Sequence, residues 1–314
     1  MRAGSVGAQF VVLAVVWGAS FLFMKVSLDG MSPAQVMLGR LALGAIFLAM
    51  VMAVSRRRWP RTARTWGALA VISVFLCVAP FLLYAWAGQY IPSGLSSIYN
   101  ATTPIATLLV ALTVLPDERL TRTRTVGLMI AAVGVVVVAA PWNALGAVQD
   151  GPVILAQLAC LGACLCYGIA FVLSRRLLRA NEHDPTTIAA SQVGLAAVIG
   201  FMLAPFVGGF EPIRLSPSVV ASMLVLGVLG TGLAYIWNTR VIAAWGATTV
   251  STVTYVTPVV GVILGILVLG ESLHWNEPAG GVLVILGILI SQGRLTLRRP
   301  GRTAGQATTA VLGS

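Results

Sequence analysis

Residues 93–115 read SGLSSIYNATTPIATLLVALTVL, and residues 247–269 read ATTVSTVTYVTPVVGVILGILVL. Each is an uncharged run of 23 residues with a proline, Pro104 or Pro258, at its twelfth position. A helix crosses the bilayer core in roughly 20 residues, so both prolines fall near mid-membrane. A helical proline donates no hydrogen bond and clashes with the carbonyl four residues back. Those carbonyls belong to Asn100 and Thr254, whose own side chains are polar. Ser93, Ser97, Asn100, Thr103 and Thr107 recur at helical spacing in the first run, and Ser251, Thr254 and Thr257 in the second. Non-ideal backbone at this depth is tolerated where protein or a water-filled cavity satisfies it. The expectation is a pair of symmetry-related broken helices, hinged at Pro104 and Pro258, lining a site at Asn100, Thr103, Thr254 and Thr257. The alternative is a pair of kinks with Ser and Thr joining neighbouring helices.

Eight further apolar runs flank these two: 6–26, 33–54, 66–87, 123–141, 152–173, 186–207, 217–237 and 275–293. The fold class expected is an all-α membrane protein of ten transmembrane helices. Composition excludes a water-soluble globule: 58% of the 314 residues are hydrophobic and only 9% charged. A soluble domain carries about a quarter charged residues. Mean hydropathy is +0.94. The first run follows Arg2 directly but continues through Trp17, Phe21, Phe23 and Met24, so it reads as an uncleaved helix rather than a signal peptide. Residues 294–314 are basic, then rich in Gly, Thr and Ala, and read as a disordered cytoplasmic tail.

The net charge of +11 lies mostly in the connections and marks topology rather than a nucleic-acid surface. Alternate connections hold Arg2; Arg56, Arg57, Arg58, Arg61 and Arg64; Arg119, Arg122 and Arg124; Arg175, Arg176 and Arg179; Arg240; and Arg294, Arg298, Arg299 and Arg302. These are 17 of the 20 basic residues. The other connections hold only Arg214, while Lys25 and Arg40 fall inside runs. The asymmetry predicts both termini in the cytoplasm, as in a bacterial inner membrane protein.

The chain also repeats itself. Trp17-Gly18-Ala19-Ser20-Phe21 corresponds to Tyr167-Gly168-Ile169-Ala170-Phe171, Tyr84-Ala85-Trp86 to Tyr235-Ile236-Trp237, Thr103-Pro104 to Thr257-Pro258, and Gly127 to Gly281. Five helices per half is odd, so the halves must insert with opposite orientation. An inverted repeat of this kind places a substrate site near the midplane between the halves. The units expected are residues 1–145 and 146–293. The Trp-Gly-x-Ser-Phe start, the two Thr-Pro pairs and Leu269-Gly270-Glu271 resemble the EamA-type drug/metabolite transporter superfamily, over roughly residues 7–293. The first half departs from the pattern at Pro116-Asp117, where the second keeps Gly270-Glu271. The resemblance implies a ten-helix bundle around a central cavity, often acting in metabolite or amino-acid export.

Other residues invite chemical roles. Arg40 lies seven residues past Pro33, roughly 10 Å into its helix. A buried cation needs a cavity or a partner, and a ligand-binding role stands even with a structural pairing, Asp29 being one partner. Lys25 is nearer its helix end and can snorkel. Among the repeat-related aromatics, Trp17 and Tyr255 are the preferred substrate contacts, being well inside their runs. Phe21, Tyr84, Trp86, Tyr99, Tyr167, Tyr235 and Trp237 read more simply as interfacial residues. Glu271 and Asp117 end corresponding helices and read as caps. His183 and His274 fall in connections. Cys77, Cys160, Cys164 and Cys166 lie in apolar runs without a His or acid nearby and read as inert thiols. No acid maps to the midplane, and there is no zinc motif and no Gly-Lys-Ser/Thr phosphate loop. No metal, cofactor or enzymatic activity is expected. The reading is a secondary membrane transporter exporting a small polar metabolite or amino acid by alternating access, with a membrane-embedded enzyme or lipid-handling protein that does not transport soluble metabolites as the alternative.

Overall fold

The computed structural model describes residues 3–114, 120–140, 151–180, 184–208, 211–245 and 253–295. Asp117, Glu118, Arg119, His183, Ser251 and the tail beyond residue 295 lie outside this set, as does the start of the run expected at 247. The described residues form ten helices and no strand: α1 Ala3–Ser27, α2 Pro33–Val54, α3 Ala63–Ala87, α4 Ser93–Val114, α5 Arg122–Ala139, α6 Gly151–Ala180, α7 Pro185–Phe206, α8 Pro217–Val241 (continuing to Trp245), α9 Val253–Leu269 and α10 Asn276–Ser291. The first eight are long and apolar enough to cross a bilayer, while α9 and α10 are apolar but shorter, at 17 and 16 residues. Large apolar side chains such as Met129, Phe201 and Leu267 face outward, as lipid contact requires.

Polar caps set where the helices begin. Ser32 and Gln35 form a reciprocal capping box at α2, with Pro33 at the first position. Thr121 caps α5, Asp184 caps α7 and Ser216 caps α8. Asp184 accepts from the amides of Thr186 and Thr187 and pairs with Arg57. Partial burial pulls its carboxyl upward, but the Arg57 guanidinium and these amides hold it below the usual carboxylate range. Glu271 is a cap too, but of a distant helix. Its carboxylate accepts from Ser93 N–H (2.6 Å), Ser93 Oγ (3.0 Å) and Gly94 N–H (3.0 Å) at the start of α4. Lys25 Nζ donates to the carbonyls of Gly88 and Ile91 in the adjoining connection.

The helix contacts are symmetric. Equivalent helices pair across the halves: α2 with α7, α4 with α9, and α5 with α10. Non-equivalent contacts come in matched pairs: α1 on α9 and α6 on α4, α1 on α8 and α6 on α3, α2 on α8 and α7 on α3. Glycines fix the matched crossings. A methyl on Gly18 would come within 2.6 Å of Val260 Cβ, and one on Gly168 within 2.8 Å of the Ala106 carbonyl carbon. Gly18 and Gly168 are repeat mates 150 residues apart; Ala106 and Val260 are separated by 154, the spacing of the Thr-Pro pairs. Lipid supplies no hydrophobic drive for helices to associate, so close backbone approach at small residues supplies dispersion contacts instead.

The α5–α10 pair is the extreme case. Gly127 and Gly134 face Gly287 and Gly280, and a Cβ on Gly287 would stand 2.5 Å from Ala131 N. Gly287→Leu should therefore splay the pair and destabilise the fold by about 1–3 kcal/mol or more. Gly67→Ala, where nothing lies within 4 Å, should be neutral or mildly stabilising. Thermal unfolding of the detergent-solubilised variants checks the contrast; equal midpoints would refute the packing role.

Candidate functional site

Departures from ideal helix cluster between the halves. The helix α4 breaks at Ala101 and Thr102 into Ser93–Asn100 and Thr103–Val114. Pro104 is the second residue of the new segment, where its missing N–H costs nothing. Thr102 Oγ1 donates to Tyr99 O at 2.8 Å, and Cys164 Sγ to the same carbonyl at 3.2 Å. The mate in α9 behaves differently. The described helix runs unbroken through Pro258, correcting the expectation of a second break at the proline itself. The carbonyl that Pro258 cannot serve is Thr254 O, and it accepts from Thr257 Oγ1 at 3.1 Å.

Two further irregularities were not read from the sequence. The helix α3 widens into a π-helical turn at Val74–Val78, and α8 into a longer one at Val225–Leu233. These segments start 151 residues apart, matching the Tyr84/Tyr235 repeat offset. In α3 the signal is Pro80, which cannot donate to Leu76 O; Tyr235 Oη from α8 donates there instead, at 3.3 Å. In α8 the signal is Gly227, Gly230 and Gly232 around Thr231, whose hydroxyl reaches five residues back to Leu226 O at 3.0 Å. The widened turn also leaves Gly230 O accepting from Trp17 Nε1 (3.3 Å) and Arg40 Nη2 (3.4 Å).

These segments surround a cavity between the halves. Its wall includes Trp17, Ser20, Phe21 and Met24 from α1, Arg40 from α2, Leu76, Phe81 and Tyr84 from α3, and Asn100 and Thr103 from α4. The other half supplies Tyr167 and Phe171 from α6, Tyr235 and Asn238 from α8, and Thr254 from α9. Several residues are repeat mates: Trp17 with Tyr167, Phe21 with Phe171, Tyr84 with Tyr235, and Asn100 with Thr254. The rings contact one another across the halves, Trp17 edge-on to Tyr235 at 6.3 Å and Tyr84 stacked on Tyr167 at 6.3 Å. Within the first half, Phe21 is edge-on to Tyr84 at 5.3 Å.

Arg40 is the cation of this wall and is 7% exposed. Its Nε donates to Thr231 Oγ1 at 2.8 Å, and its guanidinium carbon lies 3.7 Å from the centre of the Phe81 ring. These partners replace the pairing with Asp29. With no carboxylate on it among the described residues, this buried guanidinium is held by dipoles and a π face. Asn100 Oδ1 accepts from Tyr84 Oη (3.3 Å) and Thr103 Oγ1 (3.4 Å).

Of the residues named from sequence, Trp17, Arg40, Asn100, Thr103 and Thr254 line the cavity, and Tyr255 and Thr257 do not. Thr257 is turned onto its own helix and packed where α1 crosses. Tyr255 points the other way, packing beside Ala101, Val284 and Ile288. The preference for Tyr255 over Tyr84, Tyr167 and Tyr235 is thus reversed. Leu76, Phe81 and Asn238 were missed altogether. Asn238 had a weak signal, a polar residue just past the apolar run; its Oδ1 is buried with no hydrogen-bond partner among the described residues.

The symmetric contacts and the cavity between the halves agree with comparison to known proteins. The model of the EamA-like transporter family matches the chain twice, at residues 5–140 and 154–292. The chain belongs to the EamA-like transporter family. A solved crystal structure covering 93% of this chain and 97% of its own superposes with a TM-score of 0.65 at 17% identity, which shows the shared two-repeat fold. A probable terminal-alkyne amino-acid exporter of Streptantibioticus cattleyicolor is 26% identical over 94% of this chain and 96% of that protein. A probable amino-acid metabolite efflux pump of Salmonella typhimurium is 25% identical over 95% and 98%. This EamA-family chain is an integral membrane protein and a transporter.

The Tyr235–Leu76 bond gives a sharp test of how the π-helical turn is maintained. Tyr235→Phe should leave Leu76 O unserved and cost about 1–3 kcal/mol. Pro80→Ala in the same chain supplies a backbone donor and should recover part of that loss. Thermal unfolding of the two single variants and the double variant checks it; strictly additive losses would show that the hydroxyl does not serve this carbonyl.

Proposed function

We propose that this protein is a secondary transporter that exports a small polar metabolite or amino acid by alternating access. The observation that carries the reading is the cavity itself, walled by repeat-related residues from both halves and holding one buried guanidinium. A rocking of one half against the other would move that wall from one membrane face to the other. In a low-dielectric cavity a fixed cation favours a substrate with a carboxylate, zwitterions included. Arg40 uses its Nε and Nη2 on Thr231 and Gly230. Its other N–H groups are the proposed carboxylate donors, with Asn100, Thr103 and Thr254 as neutral polar contacts and Trp17 as an apolar one. Pro104 and Pro258 are the proposed flexing points. The named relatives are transporters rather than enzymes, in keeping with a non-enzymatic reading.

We read α9 and α10 as the ninth and tenth crossings, because their packing mirrors that of α4 and α5. Five crossings per half give halves of opposite orientation. The connections then sort into two sets. One end joins Gly30 to Arg214, Ser32 to Gly208, and Ser93 to Glu271. The other joins Arg57 to Asp184 and Arg176 to Val114. The second end carries the arginine-rich connections and is assigned to the cytoplasm of a bacterial inner membrane.

Two measurements check these assignments. In proteoliposomes loaded with a panel of amino acids and small carboxylates, Arg40→Gln should raise half-saturation for carboxylate substrates by about tenfold or more. Arg40→Lys should recover only part of the loss, since the fork is gone. Unchanged half-saturation in Arg40→Gln, at equal reconstituted protein, would remove Arg40 from the substrate site. For orientation, a cysteine placed by Ser272→Cys should react with an impermeant maleimide on intact cells, and one placed by Arg61→Cys only after permeabilisation. The reverse pattern would overturn the topology.

A further inference from the structure

The connection between α2 and α3 takes no part in the cavity, yet it is built with care. It carries four arginines, Arg56, Arg57, Arg58 and Arg61, and Arg64 follows in the first turn of α3. The helix α2 ends with Arg56 in the left-handed region at φ +48°, its N–H on Ala53 O and the Arg57 N–H on Met52 O. Glycine is the usual occupant of such a cap, and an L side chain there is held at some cost. The connection is tied down at three further points. Arg57 pairs with Asp184, Thr187 Oγ1 donates to Arg58 O at 3.4 Å, and Trp66 Nε1 donates to Pro60 O at 2.9 Å. Trp59 stacks on Trp66 with ring centres 6.3 Å apart and planes at 26°.

One guanidinium is therefore engaged with the nearby acid. Arg56, Arg58, Arg61 and Arg64 are exposed, with no hydrogen-bond or ion-pair partner to their side chains among the described residues. Immediately before them, Ile46, Met50 and Val54 form a stripe at i, i+4 and i+8 along α2, exposed by 58, 56 and 85%. An apolar stripe thus runs along a membrane-spanning helix straight into a fixed cluster of cations, beside a half-exposed tryptophan of the kind that sits at headgroup level.

We propose that this end of the protein is a binding site for an anionic phospholipid. The phosphate sits among Arg56, Arg58, Arg61 and Arg64, the acyl chains lie along Ile46, Met50 and Val54, and Trp59 borders the headgroup. Guanidinium forks match phosphate oxygens in pairs. The tethered loop loses little freedom when the ligand arrives. The stripe selects a lipid over a soluble phosphate, which gains nothing from apolar surface. The site is independent of the cavity, so it stands or falls apart from the transport reading.

The full-length protein is purified, delipidated and offered equal amounts of phosphatidylglycerol and phosphatidylcholine, and retained lipid is counted by native mass spectrometry. Phosphatidylglycerol should be retained in preference. Arg58→Gln with Arg61→Gln should reduce that preference by at least about tenfold, since each basic residue near an anionic surface contributes roughly fivefold. Arg58→Lys with Arg61→Lys should keep part of it, the charge without the paired fork. Rising sodium chloride should lower the preference in the wild-type protein, a readout that needs no variant to fold. Equal retention of the two lipids, an unchanged preference in the glutamine variant, or indifference to salt would each overturn the proposal. Displacement of phosphatidylglycerol by inorganic phosphate alone would overturn it in favour of a soluble anion.

Discussion

The constraint on which this structure turns is that hydrocarbon offers a backbone no hydrogen-bond partner. Every carbonyl released inside the membrane must be served from within the protein. The bundle contains several such carbonyls, and side chains help to serve them. Thr257 serves Thr254, Tyr235 serves Leu76, Thr102 and Cys164 serve Tyr99, and Trp17 and Arg40 serve Gly230. The donors Tyr235, Trp17 and Arg40 belong to the cavity wall. The irregular backbone and the polar cavity are consequently one arrangement. Prolines and glycines open the helices, and the side chains that repair the openings build the site.

That arrangement also joins the halves. Arg40 and Trp17 come from the first half and bond to the widened turn of α8 in the second; Tyr235 returns the interaction to α3. Around these bonds the glycine crossings of α1 on α9 and α6 on α4 let backbones approach within van der Waals range. At Gly18 and Gly168 the neighbouring helix stands so close that a side chain has no room, which holds these crossings in place. Packed interfaces of this sort change between discrete arrangements rather than deforming smoothly.

Electrostatics divide the molecule in two. Inside, the Arg40 guanidinium is held by a hydroxyl, a carbonyl and the Phe81 ring, with no carboxylate on it among the described residues. Neutral partners stabilise the charge without cancelling it, so its field still reaches the cavity. Outside, arginines crowd the connections, where water and salt screen them.

Much of this was written in the sequence, because the bilayer makes hydrophobic length and loop charge directly readable. The helices, the repeat, and the placement of Trp17, Arg40, Asn100, Thr103 and Thr254 near one another follow from run lengths and offsets. What sequence could not settle is which way a side chain faces within a helix that is apolar all round. Tyr255 and Tyr235 both sit deep in apolar helices; only packing turns one toward α10 and the other into the cavity. Nor could local pattern show that Glu271 caps a helix 178 residues earlier, that Thr231 receives Arg40, or that α3 and α8 widen into π-helical turns. Those outcomes depend on which carbonyls are left over once all the helices have packed, and that is decided by the tertiary structure alone.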